Sequence, residues 1–529
     1  MFKFTLKAGI LAAILTIVGS SCVNDLDRVP KYDVTSASVY ADPANYKSVL
    51  ARLYSTLAVS GQQGPSGKPD ISGIDEGTSN YMRLYWKLQE LPTDEAVIAW
   101  NDATIQDINK MTWTSSDGFV TAMYNRIFYM ISLSNEFIRE TTDAKLSSRS
   151  ISGQAATDAR TYRAEARFLR AMAYFHAVDM FGSVPFVTEA DAPGSFLPRQ
   201  ATRVELFNYV ESELKAIETE LAAPGAAEYG RADRAAAQAI LARLYLNAQV
   251  YTGTARYNDA ISYAKKVIDS GTYKLEPTYQ NLFLADNNLS KEIIFPINFD
   301  GTRTQTYGGM TFLVHAAVGG SMPAANFGVN GGWGGLRATE KLVDVFPDVT
   351  GTADKRSMFY TDGQTKNVDV LTDFSKGYPV TKYKNIKSTS TASTIVAGSD
   401  LQFVDTDFPL IRLADMYLTY AEAVLRGGTG GDQATAISYV NLLRTRAKAT
   451  TVSSINTDFI LAERARELYW EGYRRTDLIR YGLFTTGTYL WPFKGGVVSG
   501  RATDDKYNLY PIPATDLVAN PTLTPTKGY

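Results

Sequence analysis

Apolar residues recur at helical spacing through much of the chain, most densely over residues 162–186. There Phe168, Met172 and Phe175 fall on one row, and Leu169, Ala173, His176 and Met180 fill the next. Arg163, Arg167 and Arg170 form a narrow polar stripe beside them. An apolar arc this wide predicts a helix covered on most sides by other helices. Gly182 stands where a left-handed C-terminal cap would end it, and Pro185 stops the helix soon after. The same periodicity predicts helices near residues 43–57, 123–138, 202–221, 231–251, 257–270, 413–425, 434–447 and 458–473.

Ala235, Ala236, Ala237, Ala239 and Ala242 are small enough to let neighbouring helices approach closely. Tyr257, Ala260, Ala264 and Ile268 look like the second helix of a tetratricopeptide repeat, so the paired helices over about 120–275 and 410–480 read as a short, degenerate repeat array. Two regions break the pattern. Residues 61–80 are too rich in Gly, Ser and Pro for regular structure, and 292–404 carry one strand at 293–297 followed by glycine-rich loops. Such loops on a rigid support commonly bear binding groups. No linker separates independent domains. The expected fold is therefore mainly α: a tetratricopeptide-like scaffold with an irregular, loop-rich lobe (about 58–115 and 292–404), in a single unit over 22–529.

The N-terminus changes the picture of where this unit works. Lys3 and Lys7 precede an apolar run over 9–18, too short to span a bilayer, and Gly19, Ser20 and Ser21 lead into Cys22, the only cysteine. This resembles a bacterial lipoprotein signal over 1–21, with Cys22 acylated as the first mature residue. A protein anchored to a membrane without spanning it is expected, and disulfides can contribute nothing. A formal net charge of −2 gives no basic footprint for nucleic acid. Aromatic residues are 12% of the chain, with 32 Tyr, which suits carbohydrate surfaces and ordinary interfaces alike.

Catalytic chemistry has little to stand on. The only histidines are His176, inside the apolar helix and so expected to be a hydrogen-bonded core residue, and His315, alone in a predicted loop. The metalloprotease, nucleophile-elbow, phosphate-loop and dinucleotide motifs are absent from the sequence. Paired carboxylates such as Asp94 and Glu95 leave a glycosidase possible, because that chemistry needs only two acids at the right separation.

Four motifs, in order, resemble the SusD/RagB family of surface glycan-binding lipoproteins. They are RFLRAMAYFHAVDMFGSVPF beginning at Arg167; Arg412 and Asp415 leading into Tyr417-Leu418 and Ala421-Glu422-Ala423; Glu463 to Arg480 with Arg464, Glu467, Glu471, Arg474, Arg475 and Asp477; and the closing Tyr510-Pro511-Ile512-Pro513 with Asn520-Pro521 and Gly528-Tyr529. The arginine and carboxylate rows are expected to be ion pairs between helices rather than sites.

Among family members the likeness is greatest to the starch-binding branch, through segments at 70–77, 90–95, 283–287, 307–309 and 491–496. What that resemblance implies is specific. An aromatic arc for a helical α-glucan falls on Trp100, Tyr307 and Trp333, and a hydroxyl-binding arginine on Arg83. The matching asparagine position is Ala103 here, with Asn101 nearby as the substitute. A calcium site falls on Asp405 and Asp407, with Asn288 in place of a third acid. The implied role is a non-catalytic lipoprotein of the outer-membrane surface that delivers starch or maltooligosaccharide to a SusC-type TonB-dependent transporter. The alternatives are another glucan such as laminarin or dextran, a surface glycoside hydrolase, or a scaffold that binds only protein. Stacking chemistry agrees with the first, because the C–H faces of a pyranose lie well on indole and phenol rings.

Overall fold

The computed structural model describes residues 36–191, 194 and 196–529, so the signal segment and Cys22 lie outside the described residues. Residues Lys47–Tyr529 form one compact unit. It is largely helical, and its strands, among the described residues, make only three two-stranded antiparallel sheets. No described helix is long and apolar enough to cross a membrane.

The central helix, Gly153–Met180, is 28 residues long and every residue from Phe168 to Met180 is buried. It packs between Gly118–Glu140 and Arg203–Ile217. Gly182 takes φ +77° and donates its N–H to Ala177, which is the expected left-handed stop. Thr202 caps the next helix in a reciprocal box with Glu205. The alanine-rich helix Arg234–Leu246 lies against Tyr257–Asp269, which in turn packs on Leu413–Leu425. Ala235, Ala236, Ala237, Ala239 and Ala242 are completely buried, so small side chains sit where the backbones approach.

Three elements differ from the periodicity reading. Residues 81–90, expected to be irregular, form the helix Tyr81–Glu90, capped by the Asn80 side chain and buried throughout. Arg83, Lys87 and Glu90 do fall at helical spacing, but all ten residues are buried, so this polar row faces protein rather than water. His315 is not in a loop but in the helix Gly309–Ala316. The expected helix over 458–473 stops at Leu468, because Trp470 turns to φ +64°, and a separate helix follows at Arg474–Arg480. The turn is held by distant groups: Glu95 accepts the Trp470 N–H at 3.0 Å, and the Trp86 indole donates to the Trp470 carbonyl at 3.0 Å.

The arginine and carboxylate rows are buried ion pairs, as expected. Strand Ile293–Ile297 pairs with Phe408–Arg412, bringing Glu292 and Arg412 together at the strand ends. The Arg412 guanidinium reaches Glu292 at 2.8 Å, Glu467 at 2.6 Å and Glu471 at 2.7 Å, all fully buried. Arg356 joins Asp354, Glu463 and Glu467, while Arg446 bridges Glu292 and Glu467. Burial alone would raise the Glu467 carboxyl, but Arg446, Arg412 and Arg356 together hold it down at about 2.

Removing Arg412 would take a shared cation from three buried carboxylates and leave them short of positive charge, so Arg412→Ala should destabilise the protein by roughly 3–5 kcal/mol. Lys47→Ala, which breaks only the exposed pair with Glu228 at 2.8 Å, should change stability by less than about 1 kcal/mol. Because the Glu467 carboxyl is depressed, its contribution is complete above the ordinary carboxylate range and is lost as pH falls toward 2. Thermal and urea denaturation of the two variants checks the contrast, and comparable losses would refute it.

A half-exposed aromatic arc as the candidate functional site

A second strand pair builds the site. Ala96–Ile98 runs antiparallel to Leu336–Ala338, with Ile98 opposite Leu336. The pairing continues one step further, where Ala99 donates to the Gly335 carbonyl at 2.8 Å. Trp100 and Trp333, 233 positions apart, thereby become neighbours, and the Trp100 indole donates to the Trp333 carbonyl at 3.1 Å. Arg337, fully buried, donates to the same Gly335 carbonyl at 2.8 Å and clamps the ribbon from behind.

The helix Gly309–Ala316 supports the Trp333 segment through its C-terminal carbonyls, which have no partner within the helix. Trp333 donates its N–H to His315 at 2.8 Å and Gly335 to Ala316 at 2.8 Å, while Gly334 reaches the Val318 carbonyl just beyond, also at 2.8 Å. This close approach explains two of the glycines. A Cβ on Gly332 would lie 2.3 Å from the Val318 carbonyl oxygen, and one on Gly335 would lie 2.7 Å from the Trp100 ring.

The three rings named from the sequence come together in a row. Tyr307 and Trp333 have centroids 6.4 Å apart with planes turned by 53°, and Trp333 and Trp100 are 6.3 Å apart and turned by 42°. All three are half-buried. The turned planes mean that the faces do not share one flat surface. Phe312, from the supporting helix, packs behind Trp100 at 5.8 Å, and Phe403 packs on Tyr307 at 5.5 Å.

Arg83 lies behind the arc and is only 4% exposed. Its guanidinium stands over the Phe312 ring at 4.2 Å and donates to the carbonyls of Gly77 at 2.9 Å and Tyr307 at 3.0 Å. Burial lowers its pKa to about 10, so it stays charged at neutral pH. One terminal nitrogen makes both carbonyl contacts, and among the described residues the other has no hydrogen-bond partner. Asn101 is exposed, one residue past Trp100, and Ala103 is exposed in the left-handed region at φ +45°.

Asp405, Asp407 and Asn288 line one open cavity with Tyr229, Asp286 and Asp300. Asp405 accepts from the N–H groups of Gly301 and Ser399 and from the Ser399 hydroxyl; Asp407 accepts from the Phe299 N–H and the Tyr229 hydroxyl, each at 2.7 Å. A carboxylate offers about four acceptor positions, so both keep capacity for a cation. Burial, aided by Asp405 and Asp300, pushes the Asp407 carboxyl up to about 7. No group of three or more His, Cys, Asp or Glu suited to a metal occurs among the described residues.

The carboxylates weighed for catalysis are spent on structure. Asp94 is buried in a two-pronged pair with Arg474, both contacts at 2.7 Å, and Glu95 is buried against the Trp470 turn. His176 is buried, with Nδ1 2.6 Å from the Tyr81 hydroxyl, and burial lowers its pKa to about 3. Sequence reasoning missed Phe312, Gly335, Arg337 and the role of His315, because nothing in the local pattern marks residues whose partners are distant.

Residues 359–529 match the SusD family, and residues 74–246 match a family described as "Starch-binding associating with outer membrane". The starch-binding protein SusD of Bacteroides thetaiotaomicron is 36% identical over 98% of this chain and 98% of its own length. Among solved structures, a SusD-like protein from Bacteroides fragilis has a TM-score of 0.69 and 21% identity over 95% of this chain and 100% of its own. Surface glycan-binding protein A from Bacteroides thetaiotaomicron, solved in complex with laminarihexaose, has a TM-score of 0.69 and 19% identity over 91% of this chain and 99% of its own. With the helical scaffold, the ordered motifs and these matches together, the chain belongs to the SusD family.

Proposed function

We propose that this protein is a cell-surface, outer-membrane lipoprotein that captures starch or maltooligosaccharide and passes it to a SusC-type TonB-dependent transporter. It is a binding protein and not an enzyme, in keeping with the family. One observation carries the ligand class: Trp100, Trp333 and Tyr307 form a half-exposed row of rings brought together from three distant segments. Large aromatic faces left open to water are costly unless a ligand covers them. Because successive planes are turned by 53° and 42°, the row suits a chain that curves, as an α-1,4-linked glucan does. Asn101 and the free terminal nitrogen of Arg83 supply polar partners for sugar hydroxyls.

The likeness to a starch-binding protein supports the α-glucan, and the family description supports the outer membrane. The lipid anchor rests on Cys22 and the transporter on family membership; both belong to the proposal. Calcium held by Asp405, Asp407 and Asn288 completes it, as a structural ion that neutralises a crowded acidic cavity.

Calorimetric titration of the mature protein with maltoheptaose and with laminarihexaose tests the ligand. Binding of maltoheptaose without hydrolysis is expected. Trp100→Ala and Trp333→Ala should each weaken it by about 1 kcal/mol or more, roughly fivefold, since each removes a stacking face. Unchanged affinity in the folded double variant would overturn the arc, and a preference for laminarihexaose would replace the α-glucan with a β-glucan.

Calcium makes a separate prediction whose sign follows from Asp407. Its folded pKa is raised to about 7, so the folded protein holds a proton that the unfolded chain releases, and this group costs stability as pH rises toward 7. Calcium needs the deprotonated carboxylate and removes that cost. Added calcium should therefore raise the melting temperature more at pH 8 than at pH 5, and Asp407→Asn should abolish the difference. An identical response in the variant would sink the assignment.

A further inference from the structure

His315 lies behind Trp333 and contacts two separate segments of the lobe, the one that bears Trp333 and the one that bears Gln402. Its ring stacks on Trp333, with centroids 4.7 Å apart and planes 22° from parallel. Nδ1 is 2.7 Å from the Gly331 carbonyl oxygen, and Nε2 is 2.9 Å from that of Gln402. The His315 carbonyl accepts the Trp333 N–H at 2.8 Å. Gln402 in turn donates its side-chain amide to the Tyr307 hydroxyl at 2.7 Å. A single imidazole thus joins the segment bearing Trp333 to the segment that orients Tyr307. One backbone bond runs alongside, from Asn330 to the Leu401 carbonyl at 2.9 Å.

Both atoms facing the imidazole are carbonyl oxygens, and neither can donate. A neutral imidazole has one N–H, so it satisfies one carbonyl and turns a lone pair toward the other. The doubly protonated ring donates to both, and its charge rests against the indole face of Trp333. Burial opposes this and lowers the pKa of His315, while the two carbonyls raise it. No charged side chain enters that balance. In the segments packed around the ring the titratable groups are Tyr307 and Asp400, and the Asp400 carboxylate is taken up by the N–H groups of Gln402 and Phe403. The state of the ring is therefore set by its burial, which disfavours the second proton, against the two carbonyls and the indole, which favour it.

We propose that His315 is the positioning residue of the aromatic arc, and that taking up its second proton draws the Trp333 and Gln402 segments together and strengthens glycan capture as pH falls. The ligand part rests on the glycan-binding reading above; the positioning part does not. With the ordered arc and the second proton favouring each other, glycan binding must raise the affinity of His315 for that proton by the same factor.

The test uses the full mature protein and two variants, His315→Gln, which keeps one donor and cannot titrate, and His315→Leu, which keeps none. The first readout needs no glycan. His315 and His176 are the only histidines, so their ring resonances can be followed by NMR from pH 4 to 8 alongside tryptophan fluorescence. A fluorescence step tracking the His315 resonance in wild type, and absent from His315→Gln, is expected. The same step in the variant would overturn the positioning role.

The second readout is maltoheptaose affinity across that range. Wild type should bind about fivefold more tightly at the acid end, at the low end of couplings between sites. His315→Gln should bind with no pH dependence, and folded His315→Leu should bind at least tenfold more weakly throughout. A flat wild-type profile, or equal slopes in wild type and His315→Gln, would overturn the pH coupling. If no glucan binds at any pH, the proposed function fails, while the fluorescence step still decides whether His315 positions the arc.

Discussion

Buried charge is the constraint on which this structure depends. Arg412 has no exposed surface and faces Glu292, Glu467 and Glu471, which have none either. Taking such groups out of water costs several kcal/mol each, and only near-ideal geometry with every polar atom engaged recovers it. That demand acts at a distance. Glu292 precedes one strand, Arg412 ends its partner, and Glu467 and Glu471 come from the segment that closes against both. Satisfying the charges fixes how the C-terminal helices meet the loop-rich lobe.

The same network sets the frame for the site. The turn at Trp470, next to Glu471, is held by Glu95 and by the Trp86 indole. Trp86 sits on the Tyr81–Glu90 helix, whose first turn carries Arg83 behind the arc. Glu95 directly precedes the strand Ala96–Ile98, which delivers Trp100. A buried ion network and a half-exposed row of rings are thus connected by a few residues of helix and strand. Long aromatic side chains on loops can stay open to water only if their backbones are held this firmly, because otherwise they would fold onto one another.

How the rings are held also shows what the glycines contribute. Gly332 and Gly335 stand where any Cβ would strike a carbonyl oxygen or the Trp100 ring, so the loop can press onto the end of the Gly309–Ala316 helix and saturate its carbonyls. The result is a platform whose hydrogen bonds lie behind it and whose faces lie in front. Trp333 is stacked on His315 at its back and stays half-exposed.

Much of this could be read from the chain alone. The Gly153–Met180 helix, its stop at Gly182, the strand at Ile293–Ile297 and the helix Leu413–Leu425 follow from periodicity and capping residues, which are local. The rows of arginine and carboxylate declared themselves as ion pairs by their spacing, and Trp100, Tyr307 and Trp333 were named by resemblance before their proximity was visible. What only the tertiary structure decided is everything whose cause lies far along the chain. The Tyr81–Glu90 helix is buried on every side, its row of Arg83, Lys87 and Glu90 included, and only distant partners account for that. The break at Trp470 is made by Glu95 and Trp86. His315 reads as an isolated histidine until the carbonyls of Gly331 and Gln402 close around it. Periodicity reports which face a residue shows to its neighbours in sequence; it carries no record of the partner, hundreds of positions away, that gives the face its purpose.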